Sequence, residues 1–136
     1  MKYLTAAEIL GASDLAIEDV PTPEWGGVVR VRELSARARY WFITNAFIDA
    51  PKLNGAEPAR RLSDTAQAML LAKSIIDEDG NLVFTEDQIS ALAEKSHLAV
   101  ARVEAVATRL SRLRAQDVED AEKNSVAAPS GDSSSA

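Results

Sequence analysis

Two runs of β-branched residues around a Pro- and Gly-bearing connection constrain this chain more than anything else in it. Leu15-Ala16-Ile17-Glu18-Asp19-Val20 and Val28-Val29-Arg30-Val31-Arg32-Glu33-Leu34 flank Pro21-Thr22-Pro23-Glu24-Trp25-Gly26-Gly27. β-Branched residues at alternate positions suit half-buried strands, and Pro and Gly between them supply the turn. The pattern predicts a β-hairpin over about residues 15–34, and everything after Ser35 reads as helix. The expected fold is α+β and mostly α-helical. It has one N-terminal hairpin, a helical body over about residues 36–114, a single globular domain spanning about 1–123, and a disordered tail at about 124–136.

Composition fits that plan. With 136 residues, 46% of them hydrophobic and 26% charged, the chain has the make-up of one soluble domain with its own core. There is no cysteine, which excludes disulfides and thiolate metal sites. Glu8 stands where a signal peptide needs its apolar stretch, and no apolar run reaches spanning length, so a cytoplasmic protein with no membrane role is expected.

Charge is unevenly placed. Residues 1–27 carry one Lys and five acids, residues 28–62 seven bases and three acids, and residues 63–136 seven bases and thirteen acids. The overall charge of −6 opposes general nucleic-acid binding, which needs clustered cations, although the middle section can present a local basic face.

Five helices are predicted. Thr5 caps a short first helix ending at Gly11, whose expected role is a left-handed C-terminal residue. Ser35 caps a second through about Phe47, holding Tyr40, Trp41, Phe42, Ile43 and Phe47. Asp49 to Glu57, with Pro51, Asn54 and Gly55, reads as a loop. Pro58 then fits the first turn of a third helix reaching about Ile76, with Leu62, Ala66, Met69, Leu70 and Ile76 as candidate core positions. After an Asp77-Glu78-Asp79-Gly80-Asn81 turn, Thr85 and Gln88 have capping-box spacing for a helix over Glu86 to Lys95. Ser96 caps the longest helix, from His97 to about Arg114. There Ala99, Val103, Val106, Leu110 and Leu113 draw a narrow apolar stripe, either packed on its own domain or open to a second subunit.

Candidate chemistry is sparse. The acidic turn has oxygens at alternate positions, as a calcium loop does, but Leu82 stands where Gly is needed and Gln88 where a bidentate Glu is needed. His97 is the sole histidine and lacks a second imidazole for a metal pair. Glu86 and Asp87 suit a helix start, where they oppose the dipole. Neither enzyme activity nor a metal or cofactor is therefore expected. Gln88 to Val100 also has the outline of the first helix and turn of a helix-turn-helix, followed by Arg102, Arg109, Arg112 and Arg114. His97 replaces the preferred Gly of that turn, and Glu104 shares the would-be reading helix. Arg30, Arg32, Arg37 and Arg39 beside Tyr40 and Trp41 are explained by a strand and helix with a basic outer face, with nucleotide stacking as the alternative.

The order of these parts resembles a known family. The short first helix, the acidic strand ending in Val20-Pro21, the Pro23-Glu24-Trp25-Gly26-Gly27 turn, the Val29-Arg30-Val31-Arg32 strand and the Ser35-capped helix look like tail assembly chaperones of long-tailed bacteriophages. Ile76-Asp77-Glu78-Asp79-Gly80-Asn81-Leu82-Val83-Phe84-Thr85 and Leu92-Ala93-Glu94-Lys95-Ser96 are similar to that family too, so the resemblance spans roughly residues 4–123. One departure is Ala36-Arg37-Ala38-Arg39-Tyr40-Trp41, where relatives more often open the helix with acids.

The resemblance implies a non-enzymatic factor of a phage or prophage acting in the host bacterial cytoplasm. Such a chaperone coats the tape measure protein, recruits tail tube subunits and leaves before the virion is complete. It also implies a longer product made by frameshifting. Tyr40, Trp41 and Phe47 are the expected partner-binding residues, and Val103, Val106, Leu110 and Leu113 a second or homo-oligomeric face. A small helix-turn-helix regulator and a structural tail-completion protein are the alternative readings.

Overall fold

The computed structural model describes residues 1–50 and 59–113. The predicted hairpin is present: β1 (Ile17–Thr22) pairs antiparallel with β2 (Gly27–Arg32), from Ile17 opposite Arg32 to Thr22 opposite Gly27. Its connection is a 3-10 turn, Pro23–Trp25, closed by Gly26 at φ +79°, a conformation glycine adopts without a Cβ penalty. The Thr22 hydroxyl donates to the Gly27 carbonyl at 2.9 Å, and the Arg30 guanidinium forks onto the carboxylate of Asp19, its cross-strand neighbour, at 2.9 and 3.3 Å. Side chains directly opposite on one face of a sheet are the pairs that stabilise it. The first helix, α1 (Ala6–Gly11), begins with a reciprocal capping box between Thr5 and Glu8. It ends on an extended Ala12, and Gly11 does not take the expected left-handed conformation; positive φ occurs only at Gly26, Gly80 and Arg112 among the described residues.

The second helix, α2 (Ala36–Ala46), is capped by the Ser35 hydroxyl, which accepts from the Ala38 N–H at 3.1 Å. It gives way to strand at Phe47. Here the structure departs from the predicted helical body, because β3 (Phe47–Ala50) pairs antiparallel with β4 (Ala59–Leu62) as a second hairpin. The third helix therefore starts not at Pro58 but at Ala66, as α3 (Ala66–Ser74). Leu62, expected in the core, is 54% exposed. Pro58 and most of the expected 49–57 loop lie outside the described residues, as does the tail at 124–136.

Ile75–Ile76 forms β5, which pairs with β2 and completes a three-stranded antiparallel sheet in the order β1-β2-β5. The chain turns back at Gly80, φ +86°, and bridges Leu82 to Ile76. The predicted helix over Glu86 to Lys95 is shorter than expected: a 3-10 turn at Glu86–Gln88 leads into one turn of α-helix, α4 (Ile89–Leu92). The start is stapled as the spacing implies, with the Gln88 side-chain oxygen accepting from the Thr85 N–H at 2.9 Å. Ser96 caps α5 (His97–Ser111), its hydroxyl accepting from the Ala99 N–H at 3.4 Å.

The core lies between the sheet and the helices. Val20 and Val31 project from the hairpin, Phe42 and Ala46 from α2, and Ala99, Val103 and Ala107 from α5, all onto α3 and its neighbours. Helix α3 buries Ala66, Ala68, Leu70, Leu71, Ala72 and Ser74, so it is apolar nearly all round, as expected of a helix enclosed by other elements. Small residues at Ala46, Ala99 and Ala107, each fully buried, let the helix backbones approach one another. One polar contact joins the layers: the buried Ser111 hydroxyl accepts from the Leu34 N–H at 2.8 Å, satisfying a backbone donor just past the end of β2.

Candidate partner-binding surface

The aromatic stretch of α2 divides between core and solvent. Phe42 is buried, Trp41 half-buried, and Tyr40 74% exposed. Tyr40 and Trp41 are consecutive on α2, about 100° apart around its axis, and Phe47 follows the helix as the first residue of β3. The Lys73 ammonium sits 4.4 Å from the centre of the Trp41 ring and also donates to Glu86 at 2.9 Å. Trp41 is thus tied into its own domain by a cation–π contact that also joins α2 to α3. Phe47 is half-buried at the start of β3, with the Arg60 guanidinium 5.1 Å from its ring centre. Beside it, Ile48 and Leu62 are exposed. Of the three expected binding residues, Tyr40 is exposed on α2, Trp41 is half-buried against Lys73, and Phe47 is half-buried at the start of β3.

Thr44 and Asn45 turn inward to the helix they belong to. The Thr44 hydroxyl donates to the Tyr40 carbonyl at 3.0 Å, and the Asn45 amide donates to the Trp41 carbonyl at 2.8 Å. These are local side-chain-to-backbone bonds one turn back along α2, and they keep both polar side chains on their own helix.

The apolar stripe of α5 is also divided. Val103 is wholly buried, and Val106, Leu110 and Leu113 are half-buried against the same core. Two of the four arginines that suggested a reading helix, Arg102 and Arg109, are engaged within the molecule. Arg102 grips Glu24 with both terminal nitrogens, at 2.7 and 2.9 Å, and Arg109 reaches Glu18 at 2.6 Å. The Arg102 guanidinium, helped by a backbone hydrogen bond, pulls the Glu24 carboxyl down to about 2 from its ordinary 4.5. With α4 only one turn long and these side chains clamping the hairpin, the geometry does not supply a helix-turn-helix reader.

At the acidic turn, the Asp77 carboxylate accepts from the N–H groups of Asp79 and Asn81 at 2.9 and 3.0 Å. It caps its own turn, as Asp commonly does. His97 is exposed at the first position of α5.

Sequence reasoning did not single out Trp25 and Phe84. Both are half-buried, and together they line two adjoining hollows of about 600 and 690 Å³. The available signal was the placing of each aromatic beside a Gly-bearing turn, where a large side chain seldom finds full cover.

No curated protein matches the sequence. In fold the chain is similar to the tail assembly chaperone of bacteriophage HK97, with a TM-score of 0.51 and 20% identity over 76% of this chain and 90% of that one. The sequence pattern of the family described as phage tail assembly chaperone matches residues 11–124, most of the chain and nearly all of the expected domain. The order of hairpin, capped helix and acidic turn thus has a family behind it, and the chain belongs to the phage tail assembly chaperones.

Proposed function

We propose that this chaperone binds the tape measure protein of its phage through the face around Tyr40, Trp41 and Phe47, helps recruit tail tube subunits, and departs before the virion is complete. It acts without catalysis, in the host bacterial cytoplasm. The observation that carries this reading is Tyr40, 74% exposed on a helix whose opposite side is anchored by Phe42 and Ala46. A large amphipathic ring held open on a rigid element is a typical contact residue of protein interfaces. Val106 and Leu110, half-buried beside Val103 on α5, and Leu113 just past its end, are the second face, for a partner or another copy. A longer frameshifted product would carry the same domain with an added C-terminal module, tethered at useful effective concentration.

The test is calorimetric titration of the purified chain with overlapping tape measure fragments at about 150 mM salt, a strength that screens exposed charges beyond about 8 Å. One fragment is expected to bind, and Tyr40→Ala to weaken it by about tenfold, the loss of one interface anchor. Trp41→Ala should weaken it as well, with its circular dichroism spectrum compared to separate lost binding from lost fold. Tight binding of duplex DNA with no binding of any fragment would overturn the proposal.

A further inference from the structure

The two hollows beside Trp25 adjoin at Trp25 and Phe84, which line both, and are taken together as the two halves of a groove. One half continues over Ala91 and Leu92 to Lys95, and the other over Val28, Val29 and Val83 to the turn Asp77-Glu78-Asp79. The floor is set by packing. Trp25, Val29 and Phe84 rest on the core from outside it, while Leu92, Ile75 and Ile76 are buried beneath. The walls remain open, with Val28 62% and Val83 50% exposed. An apolar trough of this kind on a chain otherwise rich in acids costs solvation unless something covers it.

The charges at its ends differ in sign and indicate what fits. Among the described residues, the turn end has Asp19, Asp77, Glu78 and Asp79, together with Arg30, which forks onto Asp19, and Arg32, which donates to the Gly80 carbonyl at 3.0 Å. Two negative charges are left over there. At the far end the Glu24 carboxylate is neutralised by Arg102, leaving Lys95. A hydrophobic centre with a negative end and a positive end matches an amphipathic helix carrying opposite charges at its two ends.

We propose that this groove holds an amphipathic helix of a partner protein, its apolar face on Trp25 and Phe84 and its basic end at Asp77-Glu78-Asp79. The site is separate from the α2 face, and its test uses no tape measure sequence, so each reading can fail without the other. The groove selects its occupant by apolar spacing and end charge rather than by a sequence motif. Binding there also fixes the direction in which the partner helix lies.

The probe is a synthetic helix of about five turns, with Leu along one face and Lys confined to one end, titrated calorimetrically into the full chain. Its counterpart carries Glu at both ends, so that turning it end for end restores no match at Asp77-Glu78-Asp79. The Lys peptide is expected to bind and the Glu peptide to bind about tenfold more weakly. Glu78→Lys with Asp79→Lys should cut Lys-peptide affinity by about tenfold, whereas the equal charge change Asp14→Lys with Asp64→Lys, away from the groove, should cut it by less than about threefold. Val28→Ser with Val83→Ser, both at exposed positions, should cost about fivefold through lost apolar contact. Equal losses in the two charge-reversed proteins, equal binding of both peptides, or indifference to the serine pair would each overturn the proposal. So would a doubled sedimentation mass of the free chain that the serine pair abolishes, since the groove would then be occupied by a second copy.

Discussion

Two buried serines show how differently one hydroxyl can count. The Ser111 hydroxyl accepts from the Leu34 N–H, so Ser111→Ala strands a buried backbone donor and is expected to cost about 1–3 kcal/mol. The Ser74 hydroxyl, fully buried, has no hydrogen-bond partner among the described residues. Ser74→Ala removes a desolvated group and a residue less suited to helix interiors, and is expected to raise stability by about 1 kcal/mol. Urea unfolding of the two variants checks both signs. Backbone conformation gives a third case at this scale: Gly80 sits at φ +86°, where a β-branched side chain is strained, so Gly80→Val should cost about 1–3 kcal/mol. The turn at Gly80 was readable from Asp and Asn around a Gly, which is local chemistry. The conformation of Gly11 was not, because a glycine at a helix end permits the left-handed state without requiring it. Trp25 and Phe84 were unreadable as a pair for another reason: nothing in the sequence says that residues so far apart line the same hollows.

Among elements, caps and hairpins with their own turn chemistry were legible, and boundaries set by tertiary pairing were not. Thr5, Ser35 and Ser96 each begin a helix as expected. The β1–β2 hairpin follows alternation reinforced by a Pro and Gly turn. The β3–β4 hairpin has no such signal, since Phe47-Ile48-Asp49-Ala50 and Ala59-Arg60-Arg61-Leu62 have little alternation and sit beside good helix formers. Their pairing overrides that local preference, as sheet partners often do. The difference is measurable. If Leu62 belonged to a buried helix face, Leu62→Ala would resemble a core deletion. Exposed on β4, it should change stability by about 0.5 kcal/mol or less, while Leu70→Ala, in the centre of α3, should cost about 2–5 kcal/mol. The α2 face was legible only as a cluster of aromatics. Separating Phe42, which packs inward, from Tyr40, which does not, requires knowing where α3 lies.

Across the whole molecule, the N-terminal hairpin and the last helix are joined by side chains far apart in sequence, and pH reports on that joint. Glu24, from the hairpin turn, is held by Arg102 of α5 and titrates near 2 rather than 4.5. Its folded-state value lies below its unfolded one, so the pair's contribution is fully present above about 4.5 and is lost as pH falls toward 2. The Glu24→Gln protein cannot make that contribution at any pH. Thermal midpoints of the two proteins, measured from pH 7 downward, should therefore be separated at neutral pH, with the wild type higher, and should converge between about 4.5 and 2. Because the pair is at the surface, added salt should narrow the gap at neutral pH. A gap that stays constant through the acid range would mean that the carboxylate charge does not hold the hairpin to α5. The joint would then rest on core packing between the hairpin and α5 and on the Arg109–Glu18 contact.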